Sequence, residues 1–228
     1  GADITAKNNG AIRTASAHGH LPVVQFLAGH ITDYELNNSG AIREASAYGH
    51  LLIAQFLTEH VMDGVLNNSE AFSRACENGH LLVAQFLASA RADITANDNM
   101  ALQRACENGH LPVVQFLVER GADVTTEGNN PLCSACSAGH LAIAQFLVEH
   151  GADVRIGARH MLRYASANGY LPVVQFLVER GADVAIDDNI ALRIASQHGH
   201  LPIVQLPQNM VKHFSPHVCA TSSLSYNT

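Results

Sequence analysis

Fourteen His, five Cys and a cluster of Arg near residue 160 are the side chains of this 228-residue sequence with the chemistry to act as ligands, nucleophiles or anion binders. His20, His50, His80, His110, His140 and His200 stand 30 residues apart, with Tyr170 in the one exceptional place. Two imidazoles sharing a zinc ion must each come within about 2.0–2.1 Å of it, whereas packed helices lie about 8–10 Å apart. Successive members of the column therefore cannot share an ion, and no metal or other cofactor is expected. Cys76, Cys106 and Cys136 also share one spacing. A disulfide needs Cα atoms within about 7 Å, so these read as small buried thiols of a reducing compartment. Cys133 and Cys136 form a C-x-x-C, but no second pair completes a zinc site. Asp183, Ser196 and His200 are residue types of a hydrolase triad, which requires one constellation and an oxyanion hole. Here the types recur with the spacing of the whole chain, which marks them as scaffold. There is no G-x-x-x-x-G-K-[ST] and no H-E-x-x-H. The chain is expected not to be an enzyme.

What positions these residues is a repeat. "GHLPVVQFLVERGADV" at 109–124 returns at 169–184 with one letter changed. Gly19, Gly49, Gly79, Gly109, Gly139, Gly169 and Gly199 mark a period of 30 through seven units without insertion. Self-similarity at such a period is the signature of stacked supersecondary units.

Each unit reads as two short helices. In the first unit Ala11, Ile12, Ala15 and Ser16 fall on one face at helical spacing. Asn9, Ser39, Ser69, Asn99, Asn129 and Asn189 precede the first helix and are expected to cap it. The Gly19-type residue is expected to end it in a left-handed conformation. Pro22, Pro112, Pro172 and Pro202 place the start of the second helix, since Pro is tolerated in the first turn. Leu21, Val23, Val24, Phe26 and Leu27 wrap most of that second helix in apolar surface. Such a helix needs neighbours on several sides, which stacking of units supplies. Phe at position 26 of each unit is expected to be part of the shared core.

Residues 130–154, "NPLCSACSAGHLAIAQFLVEHGADV", resemble an ankyrin repeat: Pro131, Leu132, Ala135, Gly139, His140, Leu141, Gly151, Ala152 and Asp153 match its T-P-L-H-x-A-A, G-H and G-A-D signatures. Asn130, Cys133 and Cys136 depart from it. The resemblance covers 1–205 and implies an all-α, ankyrin-like helical solenoid of about seven helix-turn-helix repeats. Units of 30 rather than 33 residues leave six residues between "GADV" and "PL", too few for a projecting β-hairpin, so the fingers should be shortened or absent. The shortened unit is similar to variants common in giant viruses, amoebae and intracellular bacteria. Residues 206–228 lose the repeat, Pro207 should stop the last helix early, and the tail is expected to be disordered. The chain opens inside a repeat unit, which reads as a fragment.

Composition narrows the partner. A net charge of −7 is wrong for general nucleic-acid binding, and no apolar run approaches the roughly 18 residues of a membrane span. The resemblance implies a cytoplasmic interaction scaffold, a host cell's cytoplasm included, binding a protein or peptide and acting as a monomer. Two alternatives stay open: a targeting arm for an effector domain elsewhere, and a structural spacer.

In a stack, packing positions repeat and recognition positions vary. The varying set is the loop at positions 5–10 of each unit and helix positions 13, 14, 17 and 18, the side that the resemblance implies for binding. Arg13, Arg43, Arg74, Arg104, Arg163 and Arg193 lie there against Glu44, Glu77 and Glu107. Arg74 with Glu77, and Arg104 with Glu107, have i,i+3 spacing. "RIGARHMLRY" at 155–164 departs furthest from its siblings and gathers Arg155, Arg159, His160, Arg163 and Tyr164, with Arg193 in the next unit. Arg and Tyr are favoured interface anchors, so an acidic or phosphorylated segment of a partner is the expected ligand. Tyr48, with the apolar loops "YELNNS" and "GVLNNS", marks a second surface that includes Arg74 and Arg104.

Overall fold

The computed structural model describes residues 6–32, 40–60, 68–90 and 92–206. They form fourteen helices, with no strand among the described residues. The loops "YELNNS" and most of "GVLNNS", and the tail from residue 207 on, lie outside them. The residues fall into two compact units, Gly1–Glu127 and Gly128–Thr228.

The first unit holds the helix pairs α1 (Ala6–Ala17) and α2 (Leu21–Ala28), α3 (Ala41–Ala47) and α4 (Leu51–His60), α5 (Asn68–Glu77) and α6 (Leu81–Ser89), and α7 (Ala96–Glu107) and α8 (Leu111–Glu119). The second holds α9 (Thr126–Ala138, all but its first two residues), α10 (Leu141–Glu149), α11 (Ala158–Ala167), α12 (Leu171–Glu179), α13 (Ile186–Gln197) and α14 (Leu201–Val204). In the first unit α1, α3, α5 and α7 pack in succession, as do α2, α4, α6 and α8. In the second, α11 packs on α13, and α12 touches both α10 and α14. Each unit is thus a stack of helix pairs, the all-α solenoid arrangement.

Glycine closes both helices of a repeat. Gly49 has φ +78°, and after it the His50 N–H donates to the Ala45 carbonyl at 2.8 Å while the Gly49 N–H reaches Ser46 at 3.4 Å. This is the Schellman pattern. Gly151, with φ +106°, repeats it for the second helix: Ala152 N–H to Leu147 O at 3.0 Å, Gly151 N–H to Val148 O at 3.2 Å.

The start of the first helix differs from expectation. Asn9, Asn99 and Asn189 do not act as N-caps; they lie within α1, α7 and α13 with φ of 58°, 61° and 58°. Asn tolerates this left-handed region better than most side chains. Buried Asn99 reaches forward, donating through Nδ2 to Thr126 Oγ1 at 2.9 Å and accepting the Asp123 N–H at 3.3 Å. It brackets the following turn instead of capping its own helix. Ser69 likewise lies inside α5.

The core is aliphatic, formed by residues such as Ile12, Ala15, Val24 and Leu27 and their counterparts. Position 26 is not uniformly part of it. Phe116 and Phe176 are buried under the guanidinium groups of Arg120 and Arg180, each 5.1 Å from its ring centre, but Phe26 is 64% exposed. At Phe26, Phe56 and Phe146 a His four residues on stacks on the ring and donates from Nδ1 to the Phe carbonyl. The repeat thus keeps a flat, cation-capable group over this Phe whether or not the Phe is buried.

Position 16 carries Ser16, Ser46, Cys76, Cys106, Cys136 and Ser166, all fully buried. The three Ser hydroxyls have no hydrogen-bond partner. A buried hydroxyl without a partner is unfavourable, and a thiol of nearly the same shape is not penalised to the same degree. Ser46→Cys is expected to stabilise the first unit by about 1 kcal/mol, read as a higher urea midpoint with an unchanged slope.

Candidate recognition surface

The column of His is occupied by packing. His50, His80 and His200 use Nε2 on the carbonyls of Ala17, Ala47 and Ala167, at 3.0, 3.0 and 2.9 Å. A carbonyl can only accept, so Nε2 carries the proton. The rings sit against Gly19, Gly49 and Gly169 of the preceding repeat, and Tyr170 fills the same place beside Gly139. Burial pushes the Cys76 thiol up to about 12, and burial with the nearby Cys133 does the same to Cys136. Thiols held neutral at ordinary pH are poor nucleophiles.

Position 18, grouped above with the variable face, has a structural use. Asn78, Asn108 and Asn168 donate from Nδ2 to the carbonyls of Arg74, Arg104 and Tyr164 four residues back, at 2.9, 3.0 and 3.0 Å. His18 and His198 do the same through Nδ1. These side chains satisfy carbonyls that a helix end leaves open. The signal was present in the sequence as a preference for side chains with an N–H.

The Arg residues divide between the two units. In the first, Arg43 pairs with Glu70 at 3.4 Å, and Glu77 takes both Arg74 at 3.4 Å and Arg104 at 2.8 Å. Arg74–Glu77 is the expected i,i+3 pair; Arg104 instead reaches back one repeat. Tyr48 is exposed in a groove of about 490 Å³ lined by Arg43, Glu44, Glu70, Arg74 and Asn78, in which cations and carboxylates balance.

In the second unit, Arg155 and Arg159 are spent on ion pairs. Arg155 folds back on Asp153, with Nε to Oδ1 at 3.0 Å and Nη2 to Oδ2 at 2.7 Å, while Arg159 pairs with Asp187 of the next repeat. Arg163, Arg193 and His160 are exposed and pair with no carboxylate among the described residues. Arg163 and Arg193 hold the same position on the packed helices α11 and α13, and Arg163 lies over the ring of exposed Tyr164 at 5.7 Å. The counter-charges Asp153 and Asp187 escaped the sequence analysis because nothing in their spacing singles them out from the period.

The Arg155 side chain and backbone N–H hold the Asp153 carboxyl down, from an ordinary 3.8 to about 2. A lowered folded-state value contributes stability above the unfolded value, and that contribution fades as pH falls from near 3.8 through about 2. An NMR titration should place the Asp153 midpoint near 2, and Arg155→Ala should raise it toward 3.8.

Two stacks of helix pairs, closed by Gly-His and Gly-Ala-Asp turns, carry these side chains. A family model of ankyrin repeats (3 copies) matches residues 11–98, 72–158 and 102–188. The chain belongs to the ankyrin repeat family. No curated protein matches it. Ankyrin repeats are in general protein–protein interaction modules and typically non-catalytic. No helix among the described residues is long and apolar enough to cross a membrane.

Proposed function

We propose that this ankyrin repeat chain is a non-catalytic scaffold of the cytoplasm whose second unit docks an acidic or phosphorylated segment of a partner protein. The observation that carries the reading is the contrast in charge. Arg43, Arg74 and Arg104 are neutralised by carboxylates of their own unit, whereas Arg163 and Arg193 face outward uncompensated. Neighbouring guanidiniums one repeat apart suit two anionic groups on an extended peptide, since Arg forks onto carboxylate and phosphate oxygens. Tyr164 and His160 supply a flat apolar surface and a further donor beside them. Arg155 and Arg159 act as fixed struts, their charge already matched.

An array of acidic peptides, their phosphorylated forms and neutral controls tests this. The whole chain should retain acidic or phosphorylated members, with affinity falling as salt rises. Arg163→Ala and Arg193→Ala should each weaken that binding about tenfold, while Arg74→Ala leaves it unchanged. Equal retention of neutral peptides, or wild-type affinity in both variants, would reject the assignment.

A further inference from the structure

Inside each unit the repeat junctions share one lock. A Gly in the left-handed region ends the first helix of one repeat, and the His or Tyr ring of the next lies where its side chain would be. Where that residue is His50, His80 or His200, Nε2 donates to the carbonyl two residues before the Gly. Beside the ring, a small residue at position 11 packs inward: Ala41, Ala71 and Ala101 are buried in the first unit, and Ala191 in the second. On the other side of the junction, position 16 of the earlier repeat is covered, so that Ser16, Ser46, Cys76 and Ser166 have no exposed surface.

Two places in the chain display half of this lock each. On α1, Ala11 and Thr14 are exposed, unlike the buried Ala at the same position in later repeats. With His18, exposed His20 and two neighbours they line a groove of about 570 Å³. On α13, Ser196 is exposed although its counterparts are buried. Gly199, at φ +77°, has no described atom within 4 Å of the place where a side chain would begin. The Gln197 carbonyl stands there in the place of Ala17, Ala47 and Ala167. One face thus offers the ring and the small residue; the other offers the Gly, the carbonyl and the uncovered position 16.

The geometry points to head-to-tail association of two copies of this chain, the α1 face of one seated on the α13 face of the next. His20 of one copy lies over Gly199 of the other and donates through Nε2 to the Gln197 carbonyl, while Ala11 covers Ser196. The contact is the repeat junction already present within each unit, made between molecules. It replaces the single-copy expectation and is independent of the acidic-partner reading. The interface is heterologous, so each copy added leaves one face of each kind open. One junction without a covalent tether must offset the lost freedom of a whole molecule, which sets the affinity in the micromolar to millimolar range.

Sedimentation of the whole chain across that range is the test. The wild type should gain mass with concentration. Ala11→Arg and Ser196→Arg substitute exposed positions, and each variant, with unchanged helical circular dichroism and melting, should remain a single copy throughout. Mixed in equal amounts, the two variants should form dimers and nothing larger, because one open face of each kind survives. A wild type of constant monomer mass, an Ala11→Arg protein that assembles as the wild type does, or a mixture that stays monomeric would overturn the proposal.

Discussion

Phe72→Ala is expected to lower the unfolding free energy of the first unit by about 3–5 kcal/mol. Phe72 holds position 12 of its repeat, where other units carry Ile12, Ile42 and Leu102, and it is the largest side chain with no exposed surface. It lies on α5, which packs on α3, α6 and α7. Truncation therefore removes apolar contact from three helix interfaces at once and leaves a cavity that close-packed neighbours refill only in part. Because each repeat is stabilised by its neighbours, the loss should spread along the unit. Denaturant unfolding followed by circular dichroism reads the change. Phe26→Ala is the matched control: the same chemistry at a 64% exposed site should cost under about 1 kcal/mol. Similar losses at both positions would mean that burial is not what distinguishes them.

Gly49→Ala should cost about 2–4 kcal/mol, from two additive causes. The first is local: at φ +78° any side chain meets the steric penalty of the left-handed region, about 1–2 kcal/mol. The second is tertiary: the new Cβ would lie 2.6 Å from Nδ1 of His80 and 2.8 Å from Cε1. The ring must move, and its bond to the Ala47 carbonyl, worth about 0.5–1.5 kcal/mol, is lost with it. Gly151→Ala separates the two causes, because Gly151 has φ +106° and open space around it. It should show the strain alone. Combining Gly49→Ala with His80→Ala should cost less than the sum of the single variants, since the clash disappears with the ring. Strict additivity in that cycle would remove the ring from the explanation.

These two expectations show why the Gly-His pair recurs as it does. The Gly of one repeat and the His of the next are a single contact written 31 residues apart, so both letters must return at every junction. Such a periodic requirement is legible in one sequence without any comparison. So were the helix pairs, the left-handed Gly, the Pro-marked second helix and the buried Cys column, all of which depend on neighbours in the chain or on a hydrophobic spacing.

Asn9, Asn99 and Asn189 were misread because an Asn before a helical pattern suits a cap and a left-handed break equally well. The choice fell to a tertiary partner, visible at Asn99 in the turn of the following repeat. Phe26 and Phe116 carry the same letter at the same position, yet their burial differs with what surrounds each. The Arg residues show the same limit. Arg155 and Arg163 are alike in type and lie in one short segment, but a carboxylate two residues away neutralises the first and none reaches the second.

The sequence alone thus determined the repeating scaffold, because period, turn chemistry and apolar spacing are properties of the chain itself. Which charges remain outward, and which packing faces stay uncovered, only the tertiary structure decided, because ion pairing and burial depend on atoms that folding brings together from different repeats.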